Sequence, residues 1–206
     1  MISIPTLLAV GAAFWIVAVT PGPANLSNAA VAMRYGRKTS MIYGAGLSLA
    51  LILWGLVAAT GMGALLQTSA SALFVMKLLG GCYLLYLAWQ TGKSAAKPRE
   101  AIVAVSGTGR WFWRGLILNL SNPKTVIAWM AALSMGLDSQ GTVLSVVLST
   151  IVCMVVAILN NMMYSLIFST GGMMAVYRRW CRWIDGISAA IFSIAGLALI
   201  RSAFAR

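Results

Sequence analysis

Residues 5–29 read PTLLAVGAAFWIVAVTPGPANLSNA, a run without a single charge. It is longer than the roughly 20 residues that cross a bilayer as a helix. Yet Pro21 and Pro23 flank Gly22 in its second half. Each proline lacks an N–H and clashes with the carbonyl four residues back, so an ordinary helix cannot run through them. In lipid, the carbonyls released in this way need partners or a wet cavity. The stretch therefore predicts a spanning helix broken inside the membrane, with a new half-helix starting after Pro23. The positive N-terminal end of such a half-helix suits a carboxylate. A plain proline kink packed by its neighbours is the competing reading. The paired prolines, flanked by Thr20 and Asn25, favour the functional one.

Five further apolar stretches follow, at 39–66, 70–92, 111–135, 142–169 and 184–204, and each is long enough to span. The expected fold is all-α and integral to the membrane, with six transmembrane helices. Composition agrees: 61% of the 206 residues are apolar and 9% are charged, against about half and a quarter in soluble domains. A chain this short cannot hide so much apolar surface from water. A soluble enzyme, a disulfide scaffold and a disordered chain are thereby excluded. The first stretch lacks the basic start and small-residue cleavage site of a signal peptide.

The net charge is +12, and the basic residues concentrate in alternate loops. Arg34, Arg37 and Lys38 follow helix 1. Lys93, Lys97, Arg99 and Arg110, against Glu100, follow helix 3, and Arg178, Arg179 and Arg182 precede helix 6. The positive-inside rule puts these loops in the cytoplasm and both termini outside. It also accounts for the charge without nucleic acid. Trp89, Trp111, Trp113, Trp180 and Trp183 fall at the same proposed interface, where amphipathic rings settle. Trp15, Trp54 and Trp129 lie deeper, where packing or lipid contact explains them. The loop 93–110 divides the single domain, 1–206, into halves 1–92 and 111–206. With three helices in each, the second half is inverted relative to the first, a recurrent transporter plan.

Helix 4 carries Asn119-Leu120-Ser121-Asn122-Pro123-Lys124. The first helix of each half thus has a proline break with asparagine around it. Paired interruptions at corresponding places point to a transporter's binding site. Lys124 falls close to mid-bilayer, where a charge costs roughly 2.5–3.5 kcal/mol on insertion scales and must face protein or water. Three readings stand for it: a neutral amine, an ammonium solvated by carbonyls freed at the breaks, or a partner for a substrate anion. Lys77 is similar but nearer the outer side, with snorkelling an equal alternative. Asn160 and Asn161 in helix 5 join Asn25, Asn28, Asn119 and Asn122 as polar groups at membrane depth. Interhelical hydrogen bonds alone could explain each. Together they outline a polar cavity. Without histidine, and with Glu100, Asp138, Asp185 and three cysteines scattered, the chain has no metal ligand set, cofactor motif or hydrolytic triad.

These residues resemble the LysE/RhtB family of amino-acid exporters over nearly the whole chain. The resemblance rests on Thr20-Pro21-Gly22-Pro23, Gly36-Arg37-Lys38, the glycine-rich helix 2, and Lys77 followed by Leu79-Gly80 and Tyr83-Leu84. It continues with Phe112, Gly115 and the helix 4 segment ending at Lys124. It implies export of amino acids or related metabolites across a bacterial inner membrane, driven by the proton gradient. The expected site comprises Thr20, Pro21, Gly22, Pro23, Asn25, Lys77, Asn119, Asn122, Pro123 and Lys124, between helices 1, 3 and 4. No acid lies deep enough to partner a cationic side chain, which favours neutral amino acids. A homo-oligomer is compatible with this reading. The rivals are an exporter of another metabolite and a passive channel, which would need a pore lined by charged rings or dewetting gates. A non-transporting subunit would carry an expensive buried lysine to no purpose, and a membrane enzyme would lack acid–base residues.

Overall fold

The computed structural model describes residues 4–68, 70–96, 109–136 and 143–204. The regular elements among them are α-helices: α1 (Ile4–Val19), α2 (Pro23–Thr68), α3 (Ala70–Ala96), α4 (Trp111–Leu120), α5 (Pro123–Gly136), α6 (Val143–Phe168) and α7 (Met173–Phe204). The chain leaves helical geometry at 20–22, between α1 and α2, and at 121–122, between α4 and α5. These are the two places where proline interrupts an apolar run. Lys97, Arg99, Glu100 and Asp138, part of the loop-charge pattern, lie outside the described residues, as does most of the 93–110 loop.

Helix α2 is two limbs, 23–35 and 37–68, separated at Gly36, whose φ of 83° and ψ of 172° are not helical. A side chain there would be strained, and glycine enters this region cheaply. Apolar patterning placed the second stretch at 39–66; the helix in fact resumes directly after Gly36. At the other end of the chain, α7 starts at Met173 rather than 184. Its first turns carry arginines and tryptophans, which hydropathy counts against a span but which form helix readily.

Pro23–Gly61, Val143–Phe168 and Arg179–Phe204 are long and apolar enough to cross a membrane, and Ile4–Val19 is a shorter apolar helix. Large apolar side chains point outward along them, including Leu53, Val155 and Ile194 at 40%, 51% and 70% exposure. A water-soluble fold does not present such a surface, and lipid covers it without cost. Trp89, Trp113, Trp180 and Trp183 are each more than half exposed, and the Lys93 ammonium lies 4.3 Å from the Trp89 ring.

Helix α3 packs on α7, α2 on both α4 and α6, and α1 on α5 and α6. Glycines set the two closest approaches. A Cβ on Gly46 would collide with the Phe112 carbonyl, and one on Gly115 with that of Tyr43, so α2 and α4 meet backbone to backbone. Gly81 and Gly196 do the same for α3 and α7, where either Cβ would sit 2.9 Å from the other residue's carbonyl oxygen. In lipid such approaches replace the missing hydrophobic drive with van der Waals contact. The core beside α1 is built on Phe14 and Trp129, both fully buried, with ring centroids 4.8 Å apart. Trp129 also lies against Gly55, where an added Cβ would stand 2.6 Å from its ring.

Candidate functional site

Where α1 stops, its last carbonyls have no helical partners. Side chains bond three of them, and the Thr20 carbonyl just beyond. The Thr20 hydroxyl donates to the Ile16 carbonyl at 2.7 Å. Asn25 Nδ2 donates to Ala18 at 2.6 Å and to Thr20 at 3.1 Å. The Tyr164 hydroxyl reaches from α6 to Val19 at 2.8 Å. Lys124 Nζ, from the first turn of α5, donates to the Thr20 carbonyl at 3.0 Å. The amino group of one broken segment therefore sits on the C-terminal end of the other, where the helix macrodipole would favour a cation. Gly22 lies beside it: a Cβ there would stand 3.4 Å from Lys124 Nζ, at ordinary contact distance.

The second break is finished in a parallel way. Asn122 Oδ1 accepts from the Lys124 backbone N–H at 3.1 Å, capping α5. Asn119 Oδ1 accepts from the Thr125 hydroxyl at 2.9 Å and from Asn122 Nδ2 at 3.3 Å. Its Nδ2 crosses to the Leu47 carbonyl on α2 at 2.8 Å, while Trp54 Nε1 donates to the Leu120 carbonyl at 3.1 Å. Both breaks thus obey the rule that irregular backbone at membrane depth is bonded or lines a cavity.

Between the breaks lies a small cavity of about 50 Å³. That is room for ordered water. Gly22, Asn25, Asn119, Asn122 and Lys124 line it, with Thr125, Asn160 and Asn161 and an apolar wall that includes Phe14 and Leu51. Among the described residues, no acid lines it. Of the chain's three acids, Asp185 is the one described, and it is buried on α7 outside this lining. Asn160 Nδ2 donates to Asn25 Oδ1 at 3.3 Å.

Polar contacts continue from Asn161 towards the Gly36 bend. Asn161 Nδ2 donates to Ser48 at 2.9 Å, and Asn28 Nδ2 to the Asn161 carbonyl at 3.0 Å. Ser40 donates to Asn28 Oδ1 at 2.8 Å. These groups join α6 to both limbs of α2.

The structure thus brings Thr20, Gly22, Asn25, Asn119, Asn122 and Lys124 together. Pro21 and Pro23 shape the break rather than line the cavity, and Pro123 opens α5. Lys77 is half-buried on α3 and is not part of the lining. The fourth wall is α6, with Asn160 and Asn161, in place of α3. Thr125 is a lining residue the sequence reading did not single out. Its position beside Lys124, one residue further along a break with asparagine before it, was the available signal.

Comparison with known proteins agrees with this geometry. The profile described as LysE type translocator matches residues 15–203. The threonine efflux protein of Salmonella typhi is 27% identical over 193 residues, covering 91% of this chain and 93% of its own. The cysteine/O-acetylserine efflux protein of Klebsiella pneumoniae is 31% identical over 131 residues, 63% of this chain and 65% of its own. The homoserine/homoserine lactone efflux protein of Salmonella typhimurium is 27% identical over 119 residues, 57% of each. No solved structure matches. With both proline breaks and Lys124 inside the matched span, the chain belongs to the LysE type translocator family of membrane-spanning amino-acid efflux transporters.

Proposed function

We propose that this protein is a secondary exporter that carries neutral amino acids out of the cytoplasm across a bacterial inner membrane, with both termini outside. The observation that carries the reading is the Lys124 amino group, held on the Thr20 carbonyl at 3.0 Å in the wall of a cavity that no carboxylate lines among the described residues. A cation at membrane depth is expensive and marks a pathway for a polar solute. A substrate carboxylate supplies the charge the cavity lacks. A cationic side chain finds no counter-charge there, and this supports neutral substrates. The relatives named for threonine, cysteine and homoserine efflux support the same class.

Six spans follow if α1 and the 23–35 limb count as one helix and α4 with α5 as another. The packing supports two related halves, 1–92 and 111–206. Exchanging spans 1, 2 and 3 with 4, 5 and 6 carries the contact of α1 with α6 onto that of α2 with α4, and α1 with α7 onto α3 with α5. The hydrogen bonds follow suit. Asn28 of the first span donates to a backbone carbonyl of the fifth, and Asn119 of the fourth to a backbone carbonyl of the second. An inverted pair of halves rocking about a central site gives alternating access. Drive by the proton gradient follows from the family resemblance, and a pH step imposed across vesicles tests it directly.

The deciding experiment is counterflow in proteoliposomes preloaded with threonine, cysteine, homoserine or lysine. Labelled neutral amino acids accumulate, lysine does not, and Lys124→Ala reduces the rate at least tenfold while the protein still inserts. Equilibration without accumulation would replace the carrier with a passive pore. Accumulation of lysine would keep the carrier and overturn the neutral preference.

A further inference from the structure

Three buried side-chain atoms among the described residues have no hydrogen-bond partner: Trp129 Nε1, Ser149 Oγ and Asn160 Oδ1. Of the three residues, Asn160 alone lines the cavity that holds Lys124. It is 2% exposed. Buried polar atoms are nearly always paired, so an orphan at a binding cavity calls for a functional account.

The chemistry fixes which end of the amide is orphaned. Asn25 has its Nδ2 within 2.6 Å of the Ala18 carbonyl and 3.1 Å of the Thr20 carbonyl. Both neighbours are acceptors, so that end of Asn25 must be the NH₂ group. Asn25 Oδ1 therefore faces Asn160 and requires a donor. Asn160 supplies it through Nδ2 at 3.3 Å. The remaining group on Asn160 is the amide oxygen, an acceptor left unmatched by the backbone geometry at the end of α1. Lys124, which carries a donor in Nζ, and Asn160, which carries the orphan acceptor in Oδ1, both line the cavity, on walls contributed by α5 and α6.

From this arrangement we infer that Asn160 is the acceptor for the substrate's α-ammonium group, so that the site selects zwitterions over simple carboxylic acids. An ammonium has three donors and no acceptor, the complement of a lone amide oxygen. A neutral acceptor binds it without the cost of burying a further charge. This inference rests on the exporter reading above. It assigns to α6 a specificity residue that recognises the half of the amino acid Lys124 does not.

The test uses threonine and 3-hydroxybutyrate, which is threonine without its amino group. Each competes, unlabelled, with counterflow of labelled threonine in proteoliposomes of the full-length protein. Two variants separate recognition from packing. Asn160→Leu and Asn160→Asp both give up the Nδ2 donor to Asn25, but only Asn160→Leu also loses the acceptor. In the wild type, threonine competes at least a hundredfold better than 3-hydroxybutyrate. In Asn160→Leu the KM for threonine rises at least tenfold and the preference falls to within threefold. Asn160→Asp keeps at least a tenfold preference. A wild-type preference in Asn160→Leu overturns the inference while leaving the exporter intact, as does loss of preference in Asn160→Asp. Should Asn160→Leu fail to fold, Asn160→Asp decides alone by the same criterion. Absence of threonine counterflow in the wild type overturns the exporter reading and this inference with it.

Discussion

Asn25 ties the first break shut, and its removal separates structural from functional polar groups. Its amide satisfies the Ala18 and Thr20 carbonyls and accepts from Asn160. A buried carbonyl left unpaired costs about 1–3 kcal/mol, so Asn25→Leu destabilises the protein by roughly 2–4 kcal/mol. Thermal unfolding in detergent measures this. Lys124→Met behaves differently. Its ammonium shares the Thr20 carbonyl with Asn25, and removing a charge from membrane depth recovers insertion energy. The expected result is a change in stability below about 1 kcal/mol, with counterflow lost. Equal destabilisation by both variants would make Lys124 a structural residue. The signal for these two residues was plain in the sequence, because an amide and an amine stand inside apolar runs. Their partners were not legible. Nothing local says that Tyr164, far along the chain, closes the Val19 carbonyl. Lys77 had much the same sequence signature as Lys124, yet helix packing keeps it out of the lining. Depth in an apolar run can be read from sequence; the face of a helix that meets a cavity is set by its neighbours.

At the scale of the helices, the α2–α4 contact decides where the second break sits, since Asn119 reaches Leu47 only across that narrow gap. The gap exists because Gly46 and Gly115 lie against each other's helix backbone. A methyl group on either must push the helices apart, and backbone carbonyls cannot swing aside as side chains do. Gly115→Ala is expected to cost about 1–3 kcal/mol, the usual range for overpacking. Gly61→Ala is the matched control, for nothing lies within 4 Å of its added Cβ. There, alanine's higher helix propensity should leave stability unchanged or raise it by up to about 1 kcal/mol. Melting curves of the two variants that shift by the same amount would refute the close-approach argument. The glycine-rich character of helices 2 and 3 was visible in the sequence, and bundle packing was its simplest reading. Which glycines form contacts was not, because Gly46 and Gly61 look alike until the partner helix is placed. The helix ends show the same division. The proline breaks at 20–22 and 121–122 follow from backbone chemistry alone, whereas α7 begins among arginines and tryptophans that apolar patterning passes over.

Across the whole molecule, orientation follows from where the cations lie. Among the described residues, Arg34, Arg37, Lys38, Lys93 and Arg110 occupy bends and helix ends assigned to one face, and Arg179 and Arg182 lie in the first three turns of α7, assigned to the same face. The positive-inside rule retains a surface dense in Lys and Arg on the cytoplasmic side, so the proposed orientation puts the end of α7 on the other, with Arg201 in its last turn as the opposing charge. Labelling with a membrane-impermeant maleimide reads this out. The protein's own thiols need little alteration: Cys153 and Cys181 are buried, and Cys82 alone is exposed, so Cys82→Ala gives the background. Phe204, 67% exposed near the end of α7, and Lys38, exposed just past the Gly36 bend, are the reporting positions. With Phe204→Cys, intact spheroplasts should label fully. With Lys38→Cys, labelling should appear only once the membrane is opened. The opposite pattern would invert the protein and turn the direction of the cavity's two exits. Labelling of both positions in intact cells would place an even number of crossings between residue 38 and residue 204. The six-span count requires an odd number, so that outcome would remove the inverted relation between the halves and, with it, the rocking mechanism built on their shared site.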